Sequence, residues 1–223
     1  MDATDQPISP AAPGPVSSES RPRTSGHGPR IPDFGFFLHA SAVVVDGGAV
    51  LFLGHSTAGK STMARLLGTQ CPVLADDAVH VTRWGQSEWR VVDGSFRFKE
   101  DCRPEDWPRE LSRRASEGAV RLKACCRLHK APDFRVEPME PIELARHVLD
   151  AVMEMDLQRK AGRGQGGGGG AGAVQSDVLQ LRKRWFNEAS DIARQVPGWH
   201  LWFHKKTEAG RILQCMEGII IGT

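Results

Sequence analysis

Leu51-Phe52-Leu53-Gly54-His55-Ser56-Thr57-Ala58-Gly59-Lys60-Ser61-Thr62-Met63-Ala64 is the stretch on which the reading of this chain turns. An apolar run, Ala49 to Leu53, stops at Gly54, and the segment from Ser61 to Leu67 reads as a helix closed by Gly68. The order is strand, glycine loop, helix, and Gly54 to Ser61 fits G-x-x-x-x-G-K-[ST] at every fixed position. Gly54 and Gly59 let the backbone wrap with its amide N–H groups turned inward, and the helix start adds partial positive charge there. Such a loop suits the phosphates of a nucleotide. Lys60 supplies a point charge for the β- and γ-phosphates, Ser61 a hydroxyl for the Mg²⁺ that bridges them, and Thr62 extends the turn. His55, Ser56, Thr57 and Ala58 fill the unspecified positions, and the side chains of His55 and Ser56 are expected to point outward.

Working outward, Ala42-Val43-Val44-Val45 and the run before Gly54 flank Asp46-Gly47-Gly48, which is a hairpin signal. A short strand, Pro72 to Ala75, leads into Asp76-Asp77, with further strand character at Val79 to Thr82 and at Trp89 to Val92 around a turn at Gly85. Residues 100 to 118 are polar and interrupted by Pro104 and Pro108; Ala119 to Leu128 then reads as a strand. From Pro141 to about Lys160, Ile142, Leu144, Val148, Leu149, Val152 and Met153 recur at helical spacing. Residues 161–173 hold the glycine run Gly166 to Gly170 with no strand leading in, the composition of a flexible tether. Ser176 or Asp177 is positioned to cap a following helix that Pro197 stops, and Trp199 to His204 with Arg211 to Met216 reads as a terminal hairpin.

The 223 residues are 40% hydrophobic, enough for one domain with a sizeable core. Residues 1–30 are rich in Pro, Ser, Gly, Ala and Arg and are expected to form a disordered arm ahead of a domain at 31–223. The 29 basic and 27 acidic side chains nearly cancel, which argues against nucleic acid or an acidic membrane surface as partner. No apolar stretch is long enough to cross a bilayer and no secretory layout opens the chain, so a cytoplasmic protein is expected. Five cysteines without C-x-x-C spacing read as reduced thiols, and six scattered tryptophans as packing residues.

Phosphoryl transfer also needs carboxylates, because Mg²⁺ takes hard oxygen ligands and an attacking hydroxyl must lose its proton. Asp76 and Asp77 are the candidates. Adjacent residues of an extended chain point to opposite sides, so one can face metal and the other the acceptor; ordinary Asp-Asp turn chemistry is the competing account. His39 before the first strand is either a catalytic or a partly buried structural histidine.

Leu38-His39-Ala40-Ser41-Ala42-Val43-Val44-Val45, then Gly54 to Thr62, then Val73-Leu74-Ala75-Asp76-Asp77-Ala78-Val79 together resemble the HPr kinase/phosphorylase catalytic domain. His39 lies 21 residues before Lys60 and Asp76 lies 16 after it, in agreement with that family's layout. The likeness covers roughly residues 36–82, and the terminal segment loosely. It implies an α/β fold with a mixed sheet and a P-loop, shared with ATP-dependent phosphoenolpyruvate carboxykinases. It also implies ATP and Mg²⁺ as cofactors, with Lys60 and Ser61 on phosphates and metal. Asp76 is then the base toward an acceptor hydroxyl, Asp77 helps with metal, and His39 lies near the carboxylate and tunes its charge. The family's Arg-Gly signature is not recognisable here; Gly94-Ser95-Phe96-Arg97 is a weak substitute.

The function expected is therefore a kinase moving a γ-phosphoryl group to a hydroxyl of a peptide, protein or small molecule. A nucleotide-binding regulatory protein and a simple ATP hydrolase are the alternatives. Related kinases that assemble leave a homo-oligomer open.

Overall fold

The hairpin that leads into the glycine loop consists of β1 (Gly35–Val45) and β2 (Gly48–Leu53), antiparallel, with Val45 opposite Gly48. Its turn has Asp46 and Gly47 at φ 46° and 70°. Two consecutive positive φ values match the right-handed twist of the flanking strands, which accounts for Asp-Gly at this position. The strand starts earlier than its valines suggest, because Phe36 and Leu38 already bury their side chains. β2 is buried along its whole length. The computed structural model describes residues 35–85, 88–92, 118–162 and 171–221. The expectations for residues 1–30, for most of the polar stretch 100–118, for Gly94 to Arg97 and for the glycine run Gly166 to Gly170 lie outside the described residues.

After the loop come α1 (Lys60–Leu67), β3 (Val73–Trp84) and β4 (Glu88–Val91), then β5 (Val120–Lys130) and β6 (Arg135–Met139). Two long helices follow, α2 (Pro141–Gly162) and α3 (Ala171–Gln195), and the described chain ends with β7 (Gly198–Phe203) and α4 (Ala209–Ile221). The fold is mixed α/β. Its seven-stranded sheet has the order β2-β1-β3-β4-β5-β7-β6, and β2 also pairs with β5. That last pairing closes β2, β1, β3, β4 and β5 into a ring. β2–β5 and β5–β7 are parallel, and the remaining pairs are antiparallel.

Each face of the sheet carries its own apolar cluster. On one, Leu38, Ala40, Leu51, Leu53, Val79 and Cys125 pack with Leu144, Val148 and Val152 of α2 and Ile192 of α3. On the other, Val43, Val50, Phe52, Cys126 and Leu201 pack with Met63 and Leu67 of α1 and Ile212 and Met216 of α4. Helices on both faces explain why β2 reads as an unbroken apolar run with no polar alternation.

Four sequence expectations need correction. His39 does not precede the first strand but lies inside β1, paired with Ala78 of β3. Asp76 and Asp77 do not sit at a strand exit: β3 runs through them, and the ladder with β1 continues on both sides. Ser176 and Asp177 do not cap α3, which already begins at Ala171. Arg211 to Met216 is not the second strand of a hairpin but part of α4, because Ile212, Met216, Ile219 and Ile220 recur at helical spacing and are all buried. The edge strand β6 leaves little mark in the sequence because it runs through Pro138, a residue tolerated at an edge. Among the described residues, no helix is long and apolar enough to cross a membrane.

Candidate functional site

The loop between β2 and α1 is held tightly by its glycines. A Cβ on Gly54 would come within 2.6 Å of the Ala58 Cβ. One on Gly59 would come within 2.8 Å of Phe203 Cζ, and Gly59 has φ 106°, a conformation that favours glycine. Within the loop the Ala58 N–H donates to the His55 carbonyl at 3.0 Å, and Met63 N–H returns to the Gly59 carbonyl at 2.8 Å, which starts the helix. His55 and Ser56 are exposed, as expected; Thr57 and Ser61 are exposed too, and Thr62 is half-buried.

Lys60 is buried, with 7% of its surface exposed. Its ammonium donates to the carbonyls of Gly54 at 2.7 Å and His55 at 3.1 Å, so it lies across the start of the loop. Burial pulls its pKa below the usual lysine value; the carboxylates of Glu154, Asp77 and Asp76 act in the opposite direction, and Arg127 adds to the lowering. Those neighbours arrive from three elements. Asp76 and Asp77 come from β3, where they pair with Ser41 and Ala40 of β1. Ser41, fully buried, donates its hydroxyl to the Lys60 carbonyl at 3.1 Å, tying this part of the ladder to the first residue of α1. Glu154 comes from α2 and Arg127 from β5.

His39 belongs to the same group. Gln158 Nε2 donates to its Nδ1 at 3.0 Å, Asp77 Oδ1 lies 3.6 Å from the same nitrogen, and Glu154 Oε1 lies 3.9 Å from Nε2. The two aspartates are exposed and the histidine is buried. Asp77 also has φ 143°, outside the conformations a residue with a Cβ adopts at ease. The structure thus brings together His39, Lys60, Asp76 and Asp77, residues singled out from three separated segments.

Sequence reasoning missed the contribution of α2 and β5. Glu143, His147, Asp150 and Glu154 recur every three or four residues, forming a polar stripe along α2. At the far end His200 Nε2 lies 3.3 Å from Glu143 Oε2 and His147 Nε2 3.5 Å from Glu143 Oε1. His129 and His200 share a hydrogen bond of 3.0 Å, and His129 stacks on Trp202. At the near end Glu154 faces His39. Between them stands Arg127, whose pKa burial pulls down while Asp150 opposes. The available signal was a lone arginine in the apolar run Ala124-Cys125-Cys126-Arg127-Leu128.

Chemically, the group offers a buried cation against a wrapped loop, two accessible carboxylates and a histidine in contact with one of them. Hydroxyls and carboxylates are hard oxygen donors of the kind Mg²⁺ takes. Among the described residues, no three His, Cys, Asp or Glu side chains converge as a metal cluster.

Among solved structures, the chain is similar to the Hpr(Ser) kinase/phosphatase from Coxiella burnetii, with 11% identity over 83% of this chain and 94% of that one, at a TM-score of 0.34. A likeness of that size carries no argument about mechanism. No curated protein matches the chain. A family model described as SynChlorMet cassette protein ScmC matches residues 32–220, which takes in the loop, both aspartates, His39, Arg127 and the polar stripe of α2. The chain belongs to the SynChlorMet cassette protein ScmC family.

Proposed function

We propose that this chain is an ATP-dependent kinase that moves the γ-phosphoryl group to a hydroxyl, carried by a serine-type side chain of a peptide or protein or by a small molecule. One observation carries the reading: the buried Lys60 ammonium bridges the Gly54 and His55 carbonyls while Asp76 and Asp77 act on the same charge from β3. A loop whose Gly54 and Gly59 pack too closely against Ala58 and Phe203 to admit a Cβ, followed at once by a helix start, supports the reading, because such a backbone suits an anion.

In this reading the amides of the loop and Lys60 hold the β- and γ-phosphates. Ser61 and Asp77 hold Mg²⁺, which when bound neutralises charge on the transferred group. Asp76 accepts the proton of the acceptor hydroxyl as the oxygen–phosphorus bond forms and the bond from the γ-phosphorus to the bridging oxygen of ADP breaks. His39, held by Gln158 and flanked by Glu154, fixes Asp77 from behind. Positioning and charge neutralisation supply the rate, since little covalent chemistry falls to the protein.

The test is transfer of label from γ-labelled ATP in the presence of Mg²⁺ to candidate peptides or a cell extract, comparing wild type with Lys60→Ala and Asp76→Asn. Each substitution is expected to slow transfer at least about a hundredfold, roughly 3 kcal/mol of lost transition-state stabilisation. Tight nucleotide binding with neither transfer nor hydrolysis would sink the kinase in favour of a regulatory protein. Hydrolysis alone would make the chain an ATPase.

A further inference from the structure

Arg127 is the one charged residue in the stretch of β5 from Ala124 to Leu128, a position at which three parallel strands run side by side: Leu53 of β2, Arg127 of β5 and His200 of β7 are register partners. Leu53 is the residue immediately before the loop, so this register sets Arg127 at the loop's entry. The side chain stays there: its Nη1 would lie 3.8 Å from a Cβ on Gly54. Its Nε is buried and, among the described residues, has no hydrogen-bond partner. In a half-buried arginine, an Nε–H taken out of water and left unmatched is costly unless the guanidinium serves a ligand.

The electrostatics point the same way. Arg127 and Lys60 lie close enough for the arginine to weaken the charge on the lysine, and Glu154 acts on both. Two cations converging on one loop repel each other, and an anionic group lying between them relieves that repulsion. Asp150 is the first of the carboxylates that act on Arg127, yet no ion pair joins the two among the described residues. The planar fork of an arginine suits the equatorial oxygens of a phosphoryl group, which a point-charge lysine cannot match in geometry.

We propose that Arg127 is a further catalytic residue, its guanidinium engaging the oxygens of the phosphoryl group in transit from the side opposite Lys60. The inference rests on the kinase reading above. It assigns the arginine to the transferred group and not to the ADP portion, and Arg127 keeps its protons throughout. Bond making, bond breaking and proton transfer to Asp76 proceed as already written.

The experiment needs no knowledge of the acceptor. The full chain is titrated calorimetrically with Mg-ADP alone and with Mg-ADP plus aluminium fluoride, a planar mimic of the phosphoryl group in transit, for wild type, Arg127→Ala and Arg127→Lys. Wild type is expected to bind the fluoride complex far more tightly than Mg-ADP. Arg127→Ala should bind Mg-ADP within about twofold of wild type but lose at least about thirtyfold in affinity for the fluoride complex, with Arg127→Lys intermediate. Equal losses for both ligands, or no loss for the fluoride complex, overturn the proposal and leave Arg127 as a counter-ion of α2. A wild-type chain that binds Mg-ADP but gains nothing from fluoride also overturns it. Failure of wild type to bind Mg-ADP at all refutes the kinase reading itself, a separate result. If Arg127→Ala does not fold, Arg127→Lys decides: a selective loss for the fluoride complex supports the assignment, and unchanged affinity rejects it.

Discussion

Asp77 is where stability and the proposed chemistry pull against each other most clearly. Its φ of 143° is one a residue with a Cβ reaches only under strain, and it sits within a ladder whose register with β1 continues to either side. Strain of this kind costs on the order of 1–3 kcal/mol and persists where the surroundings over-determine the conformation. Here the surroundings are His39, 3.6 Å away, and the charge of Lys60. Asp77→Gly removes both the strain and the carboxylate. It is expected to raise the stability to urea by about 1 kcal/mol while abolishing labelled-phosphate transfer. Asp77→Asn, which keeps the Cβ, should lose transfer without the gain in stability. Equal stability of the two variants in the same titration would count against a strained aspartate.

At the scale of elements, the loop and the strands around it decide the site. Gly59 joins two demands, a φ of 106° and a side facing Phe203 of β7, so Gly59→Ala must either rotate the loop backbone or displace the ring. A cost of about 1–3 kcal/mol and at least a tenfold loss in nucleotide affinity are expected, measured by thermal unfolding and calorimetry. Affinity within twofold of wild type would show that the loop tolerates the Cβ. This part of the site was legible in the sequence, because a glycine loop between an apolar run and a helix leaves local marks: fixed spacing and an abrupt change of period. The hairpin before it was legible for the same reason, through Asp46-Gly47. What the sequence hid depends on tertiary partners. Ile142 and Met153 fall on the apolar pattern of α2 yet are 77% and 40% exposed, whereas His147 and part of Glu154 turn inward toward the site. Arg127 became meaningful only through the pairing of β5 with β2, across some seventy residues of chain. The residues Arg211 to Met216 alone do not distinguish α4 from a strand; Ile219 and Ile220 complete the helical period.

For the molecule as a whole, histidines that are buried or half-buried shape how it responds to acid. β3 is paired on both sides, to β1 and β4, within the closed ring of strands, and His80 lies in it against Phe37 with the ring centroids 4.9 Å apart. Its Nδ1 is buried without a hydrogen-bond partner among the described residues, and burial pulls its pKa from 6.5 down to about 4. Burial also lowers the pKa of His129, helped by His200 and Arg127, and that of His147, helped by Arg127. The sign follows from proton counts. Below about pH 6.5 the unfolded chain takes up protons that the folded chain still refuses, so the stability these histidines contribute is complete above that pH and is lost as pH falls. For His80 the loss runs to about pH 4 and amounts to about 3 kcal/mol. His129 and His147 begin to contribute at the same upper limit. Since a domain is held by roughly 5–15 kcal/mol in all, the chain is expected to lose a substantial fraction of its stability between pH 6.5 and 4, before most carboxylates titrate. Urea denaturation at half-unit pH intervals measures this directly. His80→Gln, which cannot be protonated, should flatten the slope in that window while leaving stability at pH 8 less affected. A wild-type stability that stays level from pH 7 to 4.5 would mean that His80 reaches water and takes up its proton in the folded state.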